Sequence, residues 1–210
     1  MDAPPSRLAP SAGFMVGLEL SLALIALAVA WSVDFSPWIG MRWTGETLGD
    51  QFSAVLLGAL AAGPMLLVML LAYYWPVGPL KSVREVTTSQ LIPLFSHLTL
   101  AEKAAVSIAA GLGEELLFRG LVQGALSDWI GPPNGPWIGL GIAAVVFGIC
   151  HWLNRAYAVL AAVMGVYFGL LLLWTGNLWT PIVAHALYDF IALLWLTGAD
   201  GRKAESIEAE

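Results

Sequence analysis

Six long apolar segments dominate this sequence of 210 residues and limit the folds that it can adopt. Each has about the 20 residues that a helix needs to cross the hydrocarbon core of a bilayer. The hydrophobic content of 59% also exceeds the roughly 45–50% typical of soluble domains. Because lipid offers the backbone no hydrogen bonds, such segments cross it as helices. We therefore expect an all-α, polytopic transmembrane helix bundle with about six spans: 13–33, 52–75, 104–126, 137–153, 156–175 and 178–197.

Residues 75–100, between the second and third spans, differ from the spans in composition. They contain three prolines and three charged residues among apolar ones. This mixture favours an interfacial or re-entrant segment. The predicted organisation has four parts: a cytoplasmic N-terminal tail (1–12), an N-terminal transmembrane region with this segment (13–100), a catalytic transmembrane region (101–197) and an acidic cytoplasmic tail (198–210).

Lysine and arginine residues are distributed unevenly between the predicted loops. With the N-terminus in the cytoplasm, the outer loops carry Arg42 alone, whereas the inner segments carry seven basic residues: Arg7, Lys81, Arg84, Lys103, Arg155, Arg202 and Lys203. Because cytoplasmic loops are enriched in basic residues, both termini are predicted to be cytoplasmic. The first segment is too long for a cleaved signal peptide. Glu19 near its end could line a polar cavity, but extension towards the membrane surface is the preferred interpretation.

The third apolar segment carries three ionisable side chains, those of Glu114, Glu115 and Arg119. A charge at bilayer depth costs ~2.5–3.5 kcal/mol on insertion scales, so such residues indicate a functional site. Glu115 and Arg119 are four residues apart, in the favourable order for an ion pair within one helix. Glu114 projects about 100° away from Glu115, where Arg119 is harder to reach. We therefore assign Glu114 to chemistry as a general base, and Glu115 with Arg119 to structural support.

Two later segments carry one histidine each. Phe147 precedes His151 by about one helical turn, so its ring can lie against the imidazole, although His151 alone could equally be an interfacial residue. Asp189 follows His185 by one turn, and an aspartate beside a histidine fixes its tautomer. Counted from the cytoplasmic ends of their helices, the depths of Glu114 and the two histidines differ by up to ~15 Å. A common site therefore requires tilted or displaced helices.

One glutamate and two histidines from three helices suit two kinds of catalytic site. They can hold a zinc ion with an open position, or they can form a metal-free site in which the glutamate activates water and histidine binds the oxyanion. Either site can attack an amide carbonyl. The H-E-x-x-H signature of soluble metalloproteases is absent, and the single cysteine, Cys150, excludes an intramolecular disulfide and a cysteine-rich zinc site.

Three motifs occur in order on three apolar segments: Glu114-Glu115-x-x-x-Arg119, Phe147-x-x-x-His151 and His185-x-x-x-Asp189. Together they resemble the CAAX-processing and bacteriocin-processing (CPBP, or Abi) family of intramembrane proteases over about residues 101–197. The resemblance implies that Glu114 activates water, that His151 and His185 help bind the water or the oxyanion, and that the enzyme is of the metallo- or glutamate type. Asp189 stands where the family commonly has asparagine, and an ionised aspartate cannot donate a hydrogen bond.

The sequence thus predicts an endopeptidase of the bacterial inner membrane that cleaves a membrane-presented substrate, such as a prenylated C-terminal segment or a leader peptide. Its expected partners are the lipid bilayer and a hydrophobic or lipidated peptide, and no basic patch indicates nucleic acid. Zinc, held by Glu114, His151 and His185, is the candidate cofactor. Two alternatives stay open: a non-catalytic bacteriocin-immunity or scaffold protein, and a proton-coupled transporter that uses Glu114 and His185 as a relay.

Overall fold

A computed structural model describes residues 9–41 and 47–208 of the chain, with side chains up to residue 198. Regular secondary structure in these residues is entirely helical, as predicted. The α-helices are α1 (Ala12–Ser32), α2 (Leu48–Tyr74), α3 (Pro79–Val86), α4 (Ile92–Phe95), α5 (Leu100–Glu115), α6 (Gly124–Ile130), α7 (Gly135–Cys150), α8 (Arg155–Thr175) and α9 (Trp179–Glu208). Two π-helical segments, Thr87–Leu91 and Leu116–Gln123, connect α3 to α4 and α5 to α6.

Helices occupy all six predicted spans, but fewer of them are full-length membrane spans. By length and composition, four helices of the described residues can cross a membrane: Ala12–Ser32, Leu48–Tyr74, Arg155–Thr175 and Trp179–Gly198. Helix α7 is apolar but only 16 residues long. The third predicted span is divided between α5, the π-helical segment and α6. Arg7 and Arg42, and the side chains of Arg202 and Lys203, lie outside the described residues, as does most of the predicted N-terminal tail.

The segment predicted to be interfacial or re-entrant consists of α3, the first π-helical segment and α4, and it packs against α2, α8 and α9. Its apolar side chains Val83, Val86 and Ile92 are buried. The hydroxyl of Thr87 donates to the Val83 carbonyl oxygen at 2.9 Å, so the polar groups are partly satisfied within the segment. A helix that lies at the membrane–water interface is expected to have one apolar face and one polar face.

A buried polar network connects the two loops at the end of the bundle where α2 and α9 begin. Gln51 Nε2 donates to the Gly40 carbonyl oxygen at 2.9 Å, and Asn177 Nδ2 donates to Gln51 Oε1 at 3.0 Å. The Leu178 amide also donates to the Ile39 carbonyl oxygen at 2.9 Å. Since buried amides are costly when unpaired, these bonds fix where α9 starts relative to α1 and α2.

Small residues allow the helices that carry the candidate site to approach one another closely. A Cβ atom added to Gly113 on α5 would overlap the Glu19 carbonyl oxygen on α1. A Cβ added to Gly165 on α8 would lie 3.0 Å from the Cα of Ala144 on α7. Helix association in membranes depends on such close packing, because lipid provides no hydrophobic drive between helices.

Gly113→Ala is therefore expected to destabilise the protein by about 1–3 kcal/mol, the usual cost of inserting a methyl group into a packed contact. Gly141→Ala on α7 is the matched control, because no atom lies within 4 Å of the added Cβ. Unfolding in mixed detergent micelles, followed by helical circular dichroism, measures both variants. Equal stability of the two variants would show that the α1–α5 contact does not require glycine.

Candidate active site

A cavity of about 730 Å³ brings the three sequence motifs together. Apolar side chains from α2, α4 and α8 line much of it. Its polar lining includes groups from both halves of the chain: Glu19, Arg84, Ser107, Glu114, His151, Tyr157, His185, Tyr188 and Asp189. The predicted site residues are therefore close in space, although up to 75 positions separate Glu114 from Asp189 in the sequence.

Glu114 and His151 face each other at this cavity. Glu114 is 8% exposed, and its Oε2 lies 3.6 Å from Nε2 of His151. Nδ1 of His151 donates to the Phe147 carbonyl oxygen at 2.9 Å, since a carbonyl can only accept. In the neutral ring, Nε2 then presents its lone pair to the carboxylate. A single water molecule can donate to two acceptors at this separation, which is the arrangement that a general base requires.

Glu115 is fully buried and connects the first motif to the third. Its Oε1 accepts from Arg119 Nη1 at 2.9 Å and from His185 Nδ1 at 2.8 Å. The predicted Glu115–Arg119 ion pair is thus present. His185 Nε2 lies 3.4 Å from Asp189 Oδ2, so two acids orient this ring. From the sequence, Asp189 alone was expected to set the tautomer of His185.

Aromatic rings hold the charged groups of the site in place. Phe147 stacks on His151 with a centroid distance of 4.3 Å and an interplanar angle of 28°, as the sequence predicted. Phe168 stacks on His185 at 4.8 Å and 19°. The guanidinium carbon of Arg119 lies 4.4 Å from the centroid of Phe147 and 5.0 Å from that of Phe168. Phe168 is one apolar residue among many in its helix, so nothing in its sequence context marked this role.

The short helix α7 removes the mismatch in depth that the sequence implied. At 1.5 Å per residue its 16 residues extend about 24 Å, less than the ~30 Å hydrocarbon core. His151 is its C-terminal cap residue and therefore lies inside the bundle, within reach of Glu114. At the opposite end of the bundle, the hydrogen bond between Asn177 and Gln51 fixes where α9 begins. This sets the position of His185, near the start of α9, along the bundle.

Two buried polar groups near the site were missed or misplaced by the sequence interpretation. Glu19 lines the cavity instead of extending to a membrane surface, and its carboxylate lies within electrostatic range of Glu114 and Asp189. Its Oε2 is buried without a hydrogen-bond partner in the described residues, as is the hydroxyl of Ser107, two turns before Glu114. The close approach of α1 to Gly113 explains the inward direction of Glu19, because it places this helix directly beside α5.

The side-chain positions give no support to a zinc ion held by Glu114, His151 and His185. Within residues 9–41 and 47–208, no group of three or more histidine, cysteine or acidic side chains is arranged to hold a metal ion. Both ring nitrogens of His185 already face carboxylates, Glu115 on one side and Asp189 on the other. A zinc ligand needs a free nitrogen directed at the metal.

Comparison with known proteins finds a family similarity in the part of the chain that carries the site. Residues 96–191 match the model of the Rce1-like family, described as type II CAAX prenyl endopeptidase Rce1-like. The chain is also 27% identical over 101 residues to the uncharacterized protein YpbD of Bacillus subtilis, and the match covers 47% of each protein. No solved structure gave a significant match. The matched residues, fewer than half of the chain, contain all three motifs of the candidate site.

Proposed function

We propose that this chain, whose residues 96–191 match the type II CAAX prenyl endopeptidase family, is an intramembrane endopeptidase that uses Glu114 to activate water. The main support is the convergence of Glu114, His151 and His185 on one cavity from three helices. A binding scaffold has no need of a buried carboxylate that lacks a hydrogen-bond partner in the described residues, since such a group is costly to maintain. The acid is buried beside His151, a position suited to proton transfer.

The reaction begins with a water molecule hydrogen-bonded to Glu114 Oε2 and His151 Nε2, which lie 3.6 Å apart. Glu114 accepts a proton from this water as its oxygen forms a bond to the carbonyl carbon of the substrate. The carbonyl oxygen of the resulting tetrahedral intermediate carries the negative charge. As the C–N bond breaks, Glu114 returns the proton to the leaving nitrogen, and the carbonyl re-forms as a carboxylic acid. Atoms and charge balance without a metal or a covalent intermediate.

His185 has a supporting part in this proposal. Its ring is held between Glu115 and Asp189 and against Phe168. When protonated, it places a positive charge at the cavity wall, which favours the negative charge that develops on the substrate carbonyl oxygen. Glu115 and Arg119 position this ring and do not themselves reach the substrate, since both are fully buried.

The apolar walls of the cavity are consistent with a hydrophobic substrate presented from the bilayer. Met65 on α2, Phe95 on α4 and Met164 on α8 are among the lining residues, and three acids, Glu19, Glu114 and Asp189, line the same cavity. We propose a lipidated C-terminal segment, a leader peptide or another membrane protein as the substrate, in the bacterial inner membrane with both termini of the chain in the cytoplasm. These features rest on the sequence arguments above.

The decisive experiment places the purified chain in proteoliposomes with fluorescent farnesylated peptides, leader peptides and transmembrane peptides. Mass spectrometry then identifies any new termini. Cleavage at a defined bond by the wild type supports the proposal. Proton flux coupled to solute uptake, with no cleaved product, would instead indicate a transporter. Tight peptide binding without cleavage or flux would indicate a scaffold, and either result contradicts the proposed activity.

His151→Gln is expected to lower kcat about 100-fold, the lower part of the range for a positioned proton-transfer group. Glutamine cannot reproduce a ring nitrogen that is fixed by the Phe147 carbonyl and stacked on the Phe147 side chain. His97→Gln is the matched control, because His97 is exposed and contacts the Pro10 carbonyl oxygen. A steady-state cleavage assay compares the two variants. Similar kcat values for both would remove His151 from the mechanism.

A further inference from the structure

The site as described has many hydrogen-bond acceptors and few free donors. Glu114, Asp189 and Glu19 present carboxylates to the cavity. Both histidines use Nδ1 as a donor elsewhere, His151 to Phe147 and His185 to Glu115. A tetrahedral intermediate carries its charge on an oxygen that needs donors already in position. The site therefore needs an additional hydrogen-bond donor that faces the cavity and can stabilise this oxygen.

The hydroxyl of Tyr157 meets this requirement. The side chain lines the cavity and lies within electrostatic range of both Glu114 and Asp189. Its backbone amide is hydrogen-bonded, but its hydroxyl has no hydrogen-bond partner in the described part of the chain. Tyr188 also lines the cavity, but its electrostatic partners are Asp189 and Tyr157, without Glu114. Of these two tyrosines, Tyr157 is therefore the one within electrostatic range of both acids.

The backbone that carries Tyr157 is held in place by hydrogen bonds shortly after His151 in the chain. Tyr157 is the third residue of α8, and its amide donates to Asn154 Oδ1 at 2.9 Å. Asn154 Nδ2 in turn donates to the Ser82 carbonyl oxygen on α3 at 3.0 Å. Only three residues separate His151 from the start of α8. A donor on a capped helix terminus tied to a neighbouring helix is pre-organised, as oxyanion stabilisation requires.

We propose that the Tyr157 hydroxyl donates a hydrogen bond to the oxyanion of the tetrahedral intermediate. This inference rests on the proposed peptidase activity and adds a catalytic residue outside the three motifs. The hydroxyl makes this bond as the carbonyl oxygen gains charge and releases it when the carbonyl re-forms, so no proton needs to leave the tyrosine. The group therefore stabilises the transition state more than the bound substrate.

Tyr157→Phe removes one hydroxyl group and retains the ring. The expected result is a fall in kcat of about 100-fold, typical of the loss of one oxyanion donor, with KM changed less than about twofold. The matched control is Tyr74→Phe, because Tyr74 is exposed and lies outside the cavity lining. A purely structural role would instead change KM and the unfolding midpoint.

A tetrahedral mimic supplies the second readout. A phosphinic peptide with the cleaved sequence should bind Tyr157→Phe more weakly than wild type by about the same factor as the loss in kcat/KM. The affinity for the product peptide should not change. A kcat for Tyr157→Phe within about twofold of the wild-type value, or unchanged phosphinate affinity, would overturn the inference.

Two further tests distinguish a failure of this inference from a failure of the variant to fold and from a failure of the proposed peptidase function. If Tyr157→Phe does not yield folded protein, 3-fluorotyrosine at position 157 retains ring and hydroxyl but makes the hydroxyl a stronger donor. An altered kcat with constant KM then supports the role of Tyr157, and an unchanged kcat overturns it. Absence of cleavage by the wild type contradicts the peptidase proposal itself, whereas cleavage retained by Tyr157→Phe contradicts only this inference.

Discussion

Glu114→Gln is expected to lower kcat for peptide cleavage by about 10³- to 10⁴-fold, the upper part of the range for general-base catalysis. The amide has nearly the same shape as the carboxylate but cannot accept a proton from water at neutral pH. Because Oε2 of Glu114 has no hydrogen-bond partner in the described residues, the substitution breaks no such contact. The fold should therefore be retained, and removal of a buried charge should leave stability equal or higher.

The measurement is single-turnover cleavage with the unfolding midpoint recorded on the same preparation. Glu85→Gln on α3 is the matched control, since Glu85 is exposed and does not line the cavity. It should retain wild-type activity. Cleavage by Glu114→Gln within about tenfold of wild type, on a substrate that the wild type cleaves, would assign water activation to another group, and the proposed mechanism would be wrong.

Arg119→Met is expected to destabilise the protein by about 3–5 kcal/mol, the cost of removing one partner from a buried ion pair. Arg119 is 0% exposed, pairs with Glu115 at 2.9 Å and donates to the Gly165 carbonyl oxygen at 3.1 Å. Methionine fills much of the space between Phe147 and Phe168 but leaves the Glu115 carboxylate with His185 alone. We expect reduced yield and an unfolding transition shifted to lower denaturant.

Arg155→Met provides the matched control, because Arg155 is exposed at the start of α8. Its effect should remain within about 0.5 kcal/mol. In the Arg119→Met background, Glu115→Gln should recover part of the lost stability, because a neutral amide does not need a buried counter-charge. Equal stability of Arg119→Met and Arg155→Met, or no recovery in the double variant, would show that the pair does not stabilise the bundle.

Periodicity and spacing along one helix were sufficient for the local parts of the site. The Glu115–Arg119 pair and the Phe147–His151 stack both join residues four positions apart, and the structure contains both. A separation of four residues places side chains on one helical face whatever the tertiary fold. The prediction that Glu114 projects about 100° away from Glu115 follows from the same geometry, and Glu114 faces His151.

Spacing along one helix could not predict the contacts between helices that are far apart in the chain. Glu115 and His185 are 70 residues apart, and their 2.8 Å hydrogen bond depends on how α5 and α9 pack. The inward direction of Glu19 depends on the contact between α1 and Gly113. The π-helical segment after Glu115 also had no sequence signature, although such segments are frequent at functional sites.

The sequence by itself determined that the chain is an apolar helical bundle with charged motifs on three of its segments, because composition and helical periodicity are properties of the chain alone. The tertiary structure decided that these motifs face one cavity and which acid holds which histidine. Helix lengths, loop contacts and close glycine packing set the relative heights and rotations of the helices. Those quantities are set only when the helices pack against one another, because the sequence between two remote residues does not determine the distance between their side chains.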